Sequence, residues 1–398
     1  MEMAVLSPEK AVELGAIQLS ALRTAGIIPR EFEGAALTSV GTVVYDLTGE
    51  ALFRRIPIRR GSRQIGYVDV AVQPALGETF LATTMGPWST RSLIAEARQA
   101  LKKKRPRARY STVRLVAFSY PKIAVQFLQG RDEVAMLELS TWEEVPRTGT
   151  EAQEEPSNFQ RWSLLERLRR LEPKGEEQFE RHAAAISEWA RQHRRVRGGL
   201  GVATAPKKRV RQPRRIASEL FIWPVPIVSD FRDIHFSGRL SDHHVCYELR
   251  GQETSVWCVD ASVQMVLDYY RYNRTQDDLA VPLGLGTKTS PSGLPYGDEY
   301  KVVDTLQSES NNALTAAMFP VVDYNRFVSE IHANRPLISF IPGHSRTIAG
   351  YWTLEIPWGV AVFRGLLVYD PWPPNSGVIT RWENFDAHTY RHTFTAHV

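Results

Sequence analysis

Gln252-Glu253-Thr254-Ser255-Val256-Trp257-Cys258-Val259-Asp260-Ala261-Ser262-Val263-Gln264-Met265-Val266-Leu267-Asp268-Tyr269-Tyr270 is the stretch on which the reading of this chain turns. Ala261, Met265, Val266, Tyr269 and Tyr270 recur at helical spacing, which predicts a helix from Val259 to about Arg271 with Cys258 at its start. A thiol placed there meets unpaired backbone N–H groups and the positive end of the helix dipole, both of which favour thiolate over thiol. Gln252, six positions earlier, is near enough to aim a side-chain N–H at the oxyanion of a tetrahedral intermediate, with the backbone N–H of Cys258 as second donor.

A thiolate nucleophile needs an imidazole beside it and a third group to fix the tautomer of that imidazole. His344 and Asp370 take these parts by strand arithmetic. Residues 345–356 and 360–369 read as strands, separated by the turn-forming Pro357, Trp358 and Gly359. A hairpin closing between Ile356 and Gly359 sets His344 opposite Pro371, one residue from Asp370, and one bulge corrects the register. His388 and His392 are rival bases, but both follow Asp370 and neither has an orienting partner in the hairpin.

These residues resemble the papain-like cysteine peptidases, most closely the compact bacterial branch that includes the double-glycine leader peptidases. In that superfamily the oxyanion Gln precedes the Cys by six residues, as Gln252 precedes Cys258. Gly-Tyr follows the His by six and seven residues, as Gly350 and Tyr351 follow His344, and Asp370-Pro371-Trp372 is similar to the family's orienting segment. Trp257 precedes the Cys where papain has a Trp after it, and Asp stands where papain has Asn. The resemblance covers about residues 216–398. It implies a Cys-bearing helix packed on an antiparallel sheet, with Cys258, His344 and Asp370 as catalytic residues and Gln252 in the oxyanion hole. It also implies hydrolysis of peptide bonds through a thioester, on peptide or protein substrates, without metal or cofactor. An acyltransferase or deamidase with the same triad, or a non-catalytic binding module of the same fold, are the alternatives.

The remaining chain sets the context. With 398 residues, 43% of them hydrophobic, two domains are expected, both α+β. Residues 1–145 open with a helix capped by Ser7-Pro8, striped by Ala11, Leu14, Ile17, Ala21 and Leu22 and closed by Gly26. Strands follow at about 42–47, 51–58, 64–72 and 78–84, then a helix over 89–104 and strands at 112–119, 122–128 and 133–139. This is an antiparallel-sheet domain with no metal-ligand or phosphate-loop spacing.

Residues 146–215 read as a linker, first acidic and then basic, carrying helices at about 157–171 and 176–195. Residues 161–215 hold 16 Lys and Arg against six Glu, while the rest of the chain holds 33 against 38, so the basic character belongs to this segment alone. No aromatic residue interleaves Arg194 to Arg215, which favours a solvated linker over a nucleic-acid contact. Such a stretch invites proteolysis, and Gly198-Gly199 reads as flexibility rather than a cleavage motif. A domain without catalytic residues, joined by an exposed linker to one with them, suggests a zymogen. Residues 1–145 would then be a proregion and inhibitor, freed by cleavage between Arg195 and Arg215.

In the last domain a Gly- and Pro-rich loop over 282–297 is expected, then a helix near 323–333 and a strand over 336–341. Cys246 and Cys258 are the only cysteines, which excludes a disulfide framework and favours a free Cys258. There is no run of signal-peptide or membrane-span length, so a soluble protein is expected, cytoplasmic or secreted after loss of a signal.

Overall fold

Ser7 opens the first helix by accepting the backbone N–H of Lys10 at 3.2 Å, and the apolar stripe behind it decides which face is buried. Helix α1 (Pro8–Thr24) sets Ala11, Leu14, Leu19 and Leu22 against Ile56, Ile58, Val68 and Val70. Those four belong to β3 (Ala51–Arg60) and β4 (Arg63–Ala71), which follow β1 (Ala36–Leu37) and β2 (Thr42–Tyr45). Strand β5 (Phe80–Met85), helix α2 (Thr90–Lys104) and the meander β6 (Thr112–Ser119), β7 (Lys122–Gln129) and β8 (Asp132–Glu138) complete this half. The computed structural model describes residues 6–24, 32, 34–147, 161–171, 175–192, 229–234, 247–356 and 361–398. The expected cleavage segment, Gly26 and Cys246 lie outside the described residues.

Helices α3 (Leu164–Arg170) and α4 (Glu176–Gln192) fall in the expected linker, and both fold back onto the first half. Leu165, Leu168 and Phe179 join the core made by Leu52, Phe53, Leu115 and Val125. Helix α3 starts later than its apolar pattern indicates, because Ser163 caps Glu166 N at 3.0 Å while its hydroxyl donates to the buried Asp46 at 2.6 Å.

Strand β9 (Ser229–Asp233) precedes α5 (Cys258–Tyr269) and α6 (Gln276–Leu283), the latter begun by a capping box between Thr275 and Asp278. The expected irregular loop over 282–297 is partly ordered. Pro282 is tolerated in the last turn of α6, Gly284 ends the helix in the left-handed region, and a small ribbon of β10 (Gly286–Thr287) and β11 (Ser290–Pro291) follows. Then come α7 (Tyr300–Glu309), β12 (Thr315–Phe319), α8 (Tyr324–His332), β13 (Leu337–Ile341), β14 (His344–Ile356), β15 (Ala361–Asp370), β16 (Val378–Asn384) and β17 (His392–His397). Helix α5 lies on this sheet, with Val259, Val263, Val266 and Leu267 in one core with Ile348, Leu366 and Val368.

The hairpin register differs from the expected one. Ile356 faces Ala361, so the connection is wider than a closure at Gly359, and a bulge between Ile348 and Gly350 shifts the pairing to Thr347 opposite Tyr369. Continuing that register sets Asp370 level with Arg346. His344 and Asp370 are then diagonal neighbours on one face of the sheet.

Strand order runs β12-β17-β13-β14-β15-β16-β5-β4-β3-β2-β6-β7-β8, with β1 beside β3 and β9 beside β14. The two halves therefore share one sheet, joined where Thr380 faces Thr84 and Trp382 faces Thr83. Trp382 packs on Phe80 at 5.0 Å between ring centroids, and Asn384 Nδ2 donates to Phe80 O at 3.0 Å. The boundaries expected at 145 and 216 divide the chain but not this hydrogen-bonded ladder. No helix among the described residues is long and apolar enough to cross a membrane.

Candidate active site

Cys258 is the first residue of α5, and Trp257 before it supplies no side-chain cap, so the first-turn N–H groups keep their capacity to face an anion. The start of the helix is held from two sides. Trp257 Nε1 donates to Leu285 O at 3.0 Å, and Ser345 Oγ donates to Ser262 Oγ at 2.9 Å, whose own hydroxyl returns to Cys258 O at 2.7 Å. Those bonds fix the head of α5 against the head of β14. Cys258 is a free thiol.

His344 follows the two-residue turn Pro342-Gly343, in which Gly343 takes a φ of 65° and donates its N–H to Tyr296 Oη at 3.0 Å. Its Nε2 lies 2.7 Å from Asp370 Oδ1, which also accepts the backbone N–H of Trp372 at 2.8 Å. With Nε2 committed to the carboxylate, Nδ1 is the ring nitrogen left to face the sulfur.

Burial alone pushes the Cys258 thiol up. Hydrogen bonding and charge from His344, the charge of Lys122 and the backbone N–H of Ser345 outweigh burial and hold the thiol below its ordinary value. Burial pulls His344 down, and the Asp370 charge and hydrogen bond, together with its interactions with Cys258, lift it above the ordinary imidazole value. The two shifts favour thiolate beside imidazolium.

The loop carrying Gln252 is tied to the segment after Asp370 by two backbone bonds, Gln252 N to Pro371 O at 3.0 Å and Asn375 N to Gln252 O at 2.8 Å. Gly251 is required there, since a Cβ would come within 2.4 Å of Ser376 N. Gln252 Nε2 donates one hydrogen to Thr254 O at 2.6 Å, which leaves the second N–H of that amide.

All four residues expected from sequence are thus gathered, and all are buried: Cys258 and Gln252 are each 1% exposed, His344 5% and Asp370 6%. Of the rival bases, His388 lies 3.8 Å from Glu383 against Tyr120, and His392 opens β17 and lines a small pocket that His344 also borders.

Residues 245–396 match the protein-family model described as Peptidase_C39 like family. The C-terminal region is thus similar to the papain-like cysteine peptidases of the C39 type. No curated protein matches the chain.

Two features around this C39-type fold were not read from the sequence. Lys122, the first residue of β7, is 2% exposed with its ammonium 4.7 Å from the Trp372 ring centre. Nothing in the local sequence singles it out, because only the shared sheet carries it there. A cleft of about 1060 Å³ runs between the two halves and reaches Lys122, Asp370 and Trp372, while a smaller pocket of about 210 Å³ borders His344 with Val256, Val259 and Tyr296. The second feature is Asp260, two residues past the thiol, whose carboxyl oxygens have no hydrogen-bond partner. Burial first, then the charges of Glu253, Asp277 and Cys258, push it up to about 9.

Proposed function

We propose that this protein is a cysteine peptidase in which Cys258 attacks the scissile carbonyl and His344 carries the proton to the leaving amine. Asp370 holds the imidazolium in orientation, and the Gln252 amide with the Cys258 N–H receives the oxyanion. Water then hydrolyses the thioester, with His344 as base. The observation that carries this reading is the 2.7 Å contact between His344 Nε2 and Asp370 Oδ1, which leaves the opposite edge of the ring for a thiol already shifted toward thiolate. Peptide-library digestion by the full chain tests it. Cleavage by the wild type, intact or after its linker is cut, that disappears in Cys258→Ala and His344→Ala supports the reading, and a wild type that in neither state cleaves or forms a thioester overturns it.

The burial of Cys258 favours a latent form, as a zymogen is. Because β5 and β16 share a ladder, cleavage between Arg195 and Arg215 would loosen the two halves without separating them. The processed enzyme on this reading has two chains, with residues 1–145 retained.

A further inference from the structure

We infer that the cleft between the two halves is an exosite for an acidic stretch of the polypeptide substrate, walled mainly by the N-terminal half and ending at the carboxylate that orients His344. The inference rests on the peptidase reading above and gives it a substrate class. The cleft measures about 1060 Å³, with Asp370 and Trp372 at its catalytic end. That is more room than a small ligand needs and suits a length of chain.

The other walls present donors and positive charge. Arg55, on β3, is 7% exposed and lines the cleft. Its Nε and Nη2 donate to the two oxygens of Asp69 at 2.8 and 2.7 Å, and its Cζ lies 4.0 Å from the Tyr67 ring centre and 4.3 Å from that of Trp88. The ion pair and the rings hold the guanidinium in one orientation. They leave its Nη1 N–H groups, for which no acceptor exists among the described residues and which a substrate carboxylate would meet. Helix α2 begins in the same wall. Its N-cap Ser89, with Ser92 and Leu93 of the first turn, lines the cleft, and no acidic residue occupies that turn to offset the positive end of the dipole.

Arg60 and Arg63, at the tip of the β3–β4 hairpin, border the cleft and are exposed. They face each other across the ladder, a pairing of like charges that costs stability, and neither forms an ion pair with a described residue. The carboxylates in the walls are engaged within the protein: Asp69 by Arg55, Glu383 by Arg346, Glu138 by Ser140 and Thr141, and Asp370 by His344. Positive charge is therefore in surplus at the hairpin end. Tyr67 and Trp88, 5.7 Å apart between ring centres, give the stems of the substrate side chains an apolar surface.

The test is fluorescence anisotropy of a fluorescein-labelled octapeptide of alternating Glu and Ala on full-length Cys258→Ala, where binding is read without cleavage, against the same peptide with Gln for Glu. The Glu peptide should bind about tenfold tighter than the Gln peptide, and Arg60→Glu combined with Arg63→Glu should weaken it about tenfold. Lys102→Glu combined with Lys103→Glu, in the last turn of α2 and outside the cleft, makes the same change in net charge and should leave binding as it was. Arg55→Lys keeps the charge but loses the fork, and should weaken binding too. Equal binding of the two peptides overturns the inference, as does equal weakening by the two double variants, which would mark bulk charge. Displacement of the Glu peptide by an equimolar oligothymidylate overturns it in favour of a nucleic-acid surface. Preferential binding of the Glu peptide by a protein whose wild type neither cleaves nor forms a thioester would sink the peptidase reading alone, while cleavage indifferent to Glu would sink the exosite alone.

Discussion

At Cys258 and His344 the two shifts run in opposite directions, and their signs set the pH behaviour. With ordinary values of 9.0 for the thiol and 6.5 for imidazole, thiolate and imidazolium together would be a minor form at any pH. A lowered thiol and a raised imidazole both move that balance toward the ion pair. The kcat/KM profile should be a bell whose acid limb lies below the ordinary thiol value and whose alkaline limb lies above 6.5, both belonging to the coupled pair. Stability follows the same signs. The raised His344 contributes stability that is present in full below about pH 6.5 and is lost as pH rises through its folded value. Asp370→Asn removes the charge that raises it, so the alkaline limb should move down and kcat should fall by roughly two to four powers of ten. Steady-state assays across pH check both.

Helix α5 carries a cost as well as the nucleophile. Asp260 is fully buried and keeps its proton up to about pH 9, whereas an unfolded chain releases it near 3.8. The folded state binds the extra proton, so this group lowers stability as pH rises from about 4 to about 9. Asp260→Asn removes that dependence, and the melting temperature of the variant relative to wild type should climb between pH 5 and 8. A difference that stays flat would show the carboxyl to be ionised in the fold. The helix itself was legible, because its apolar spacing, the preceding Gln and the thiol are all local. The hairpin was legible as two strands, but its register was not, since the bulge at Ala349 follows from packing under α5 and beside β9.

Over the whole molecule the decisive feature is the β5–β16 ladder. Trp382 closes it by lying over Gly365, where a Cβ would come within 1.7 Å of the indole nitrogen. Gly365→Ala should therefore displace Trp382, cost roughly 3 kcal/mol and loosen both halves together, seen as one cooperative loss in thermal melts. Beneath the ladder Arg346 and Glu383 form a buried ion pair reinforced by Tyr390 Oη on Glu383 at 2.9 Å. Glu383→Ala leaves Arg346 uncompensated and should cost about 3–5 kcal/mol in denaturant unfolding. For linker processing, intact mass of incubated wild type and Cys258→Ala, followed by size exclusion, should show cut chains that still co-elute. Uncut chains in both proteins would argue against self-processing.

The sequence by itself determined the chemistry on offer: a thiol at a helix start, an imidazole and a carboxylate at matching ends of two strands, and an amide six residues before the thiol. These are short-range patterns, carried by spacing and turn residues such as Pro357 and Gly359. What only the tertiary structure decided was the company those groups keep. A strand pairing across some 300 residues, Thr84 with Thr380, has no local signature, because β-ladder partners are selected by whole-sheet packing rather than by neighbouring residues. That pairing brings Lys122 to the Trp372 ring and makes one sheet of what the chain's composition divides into two domains.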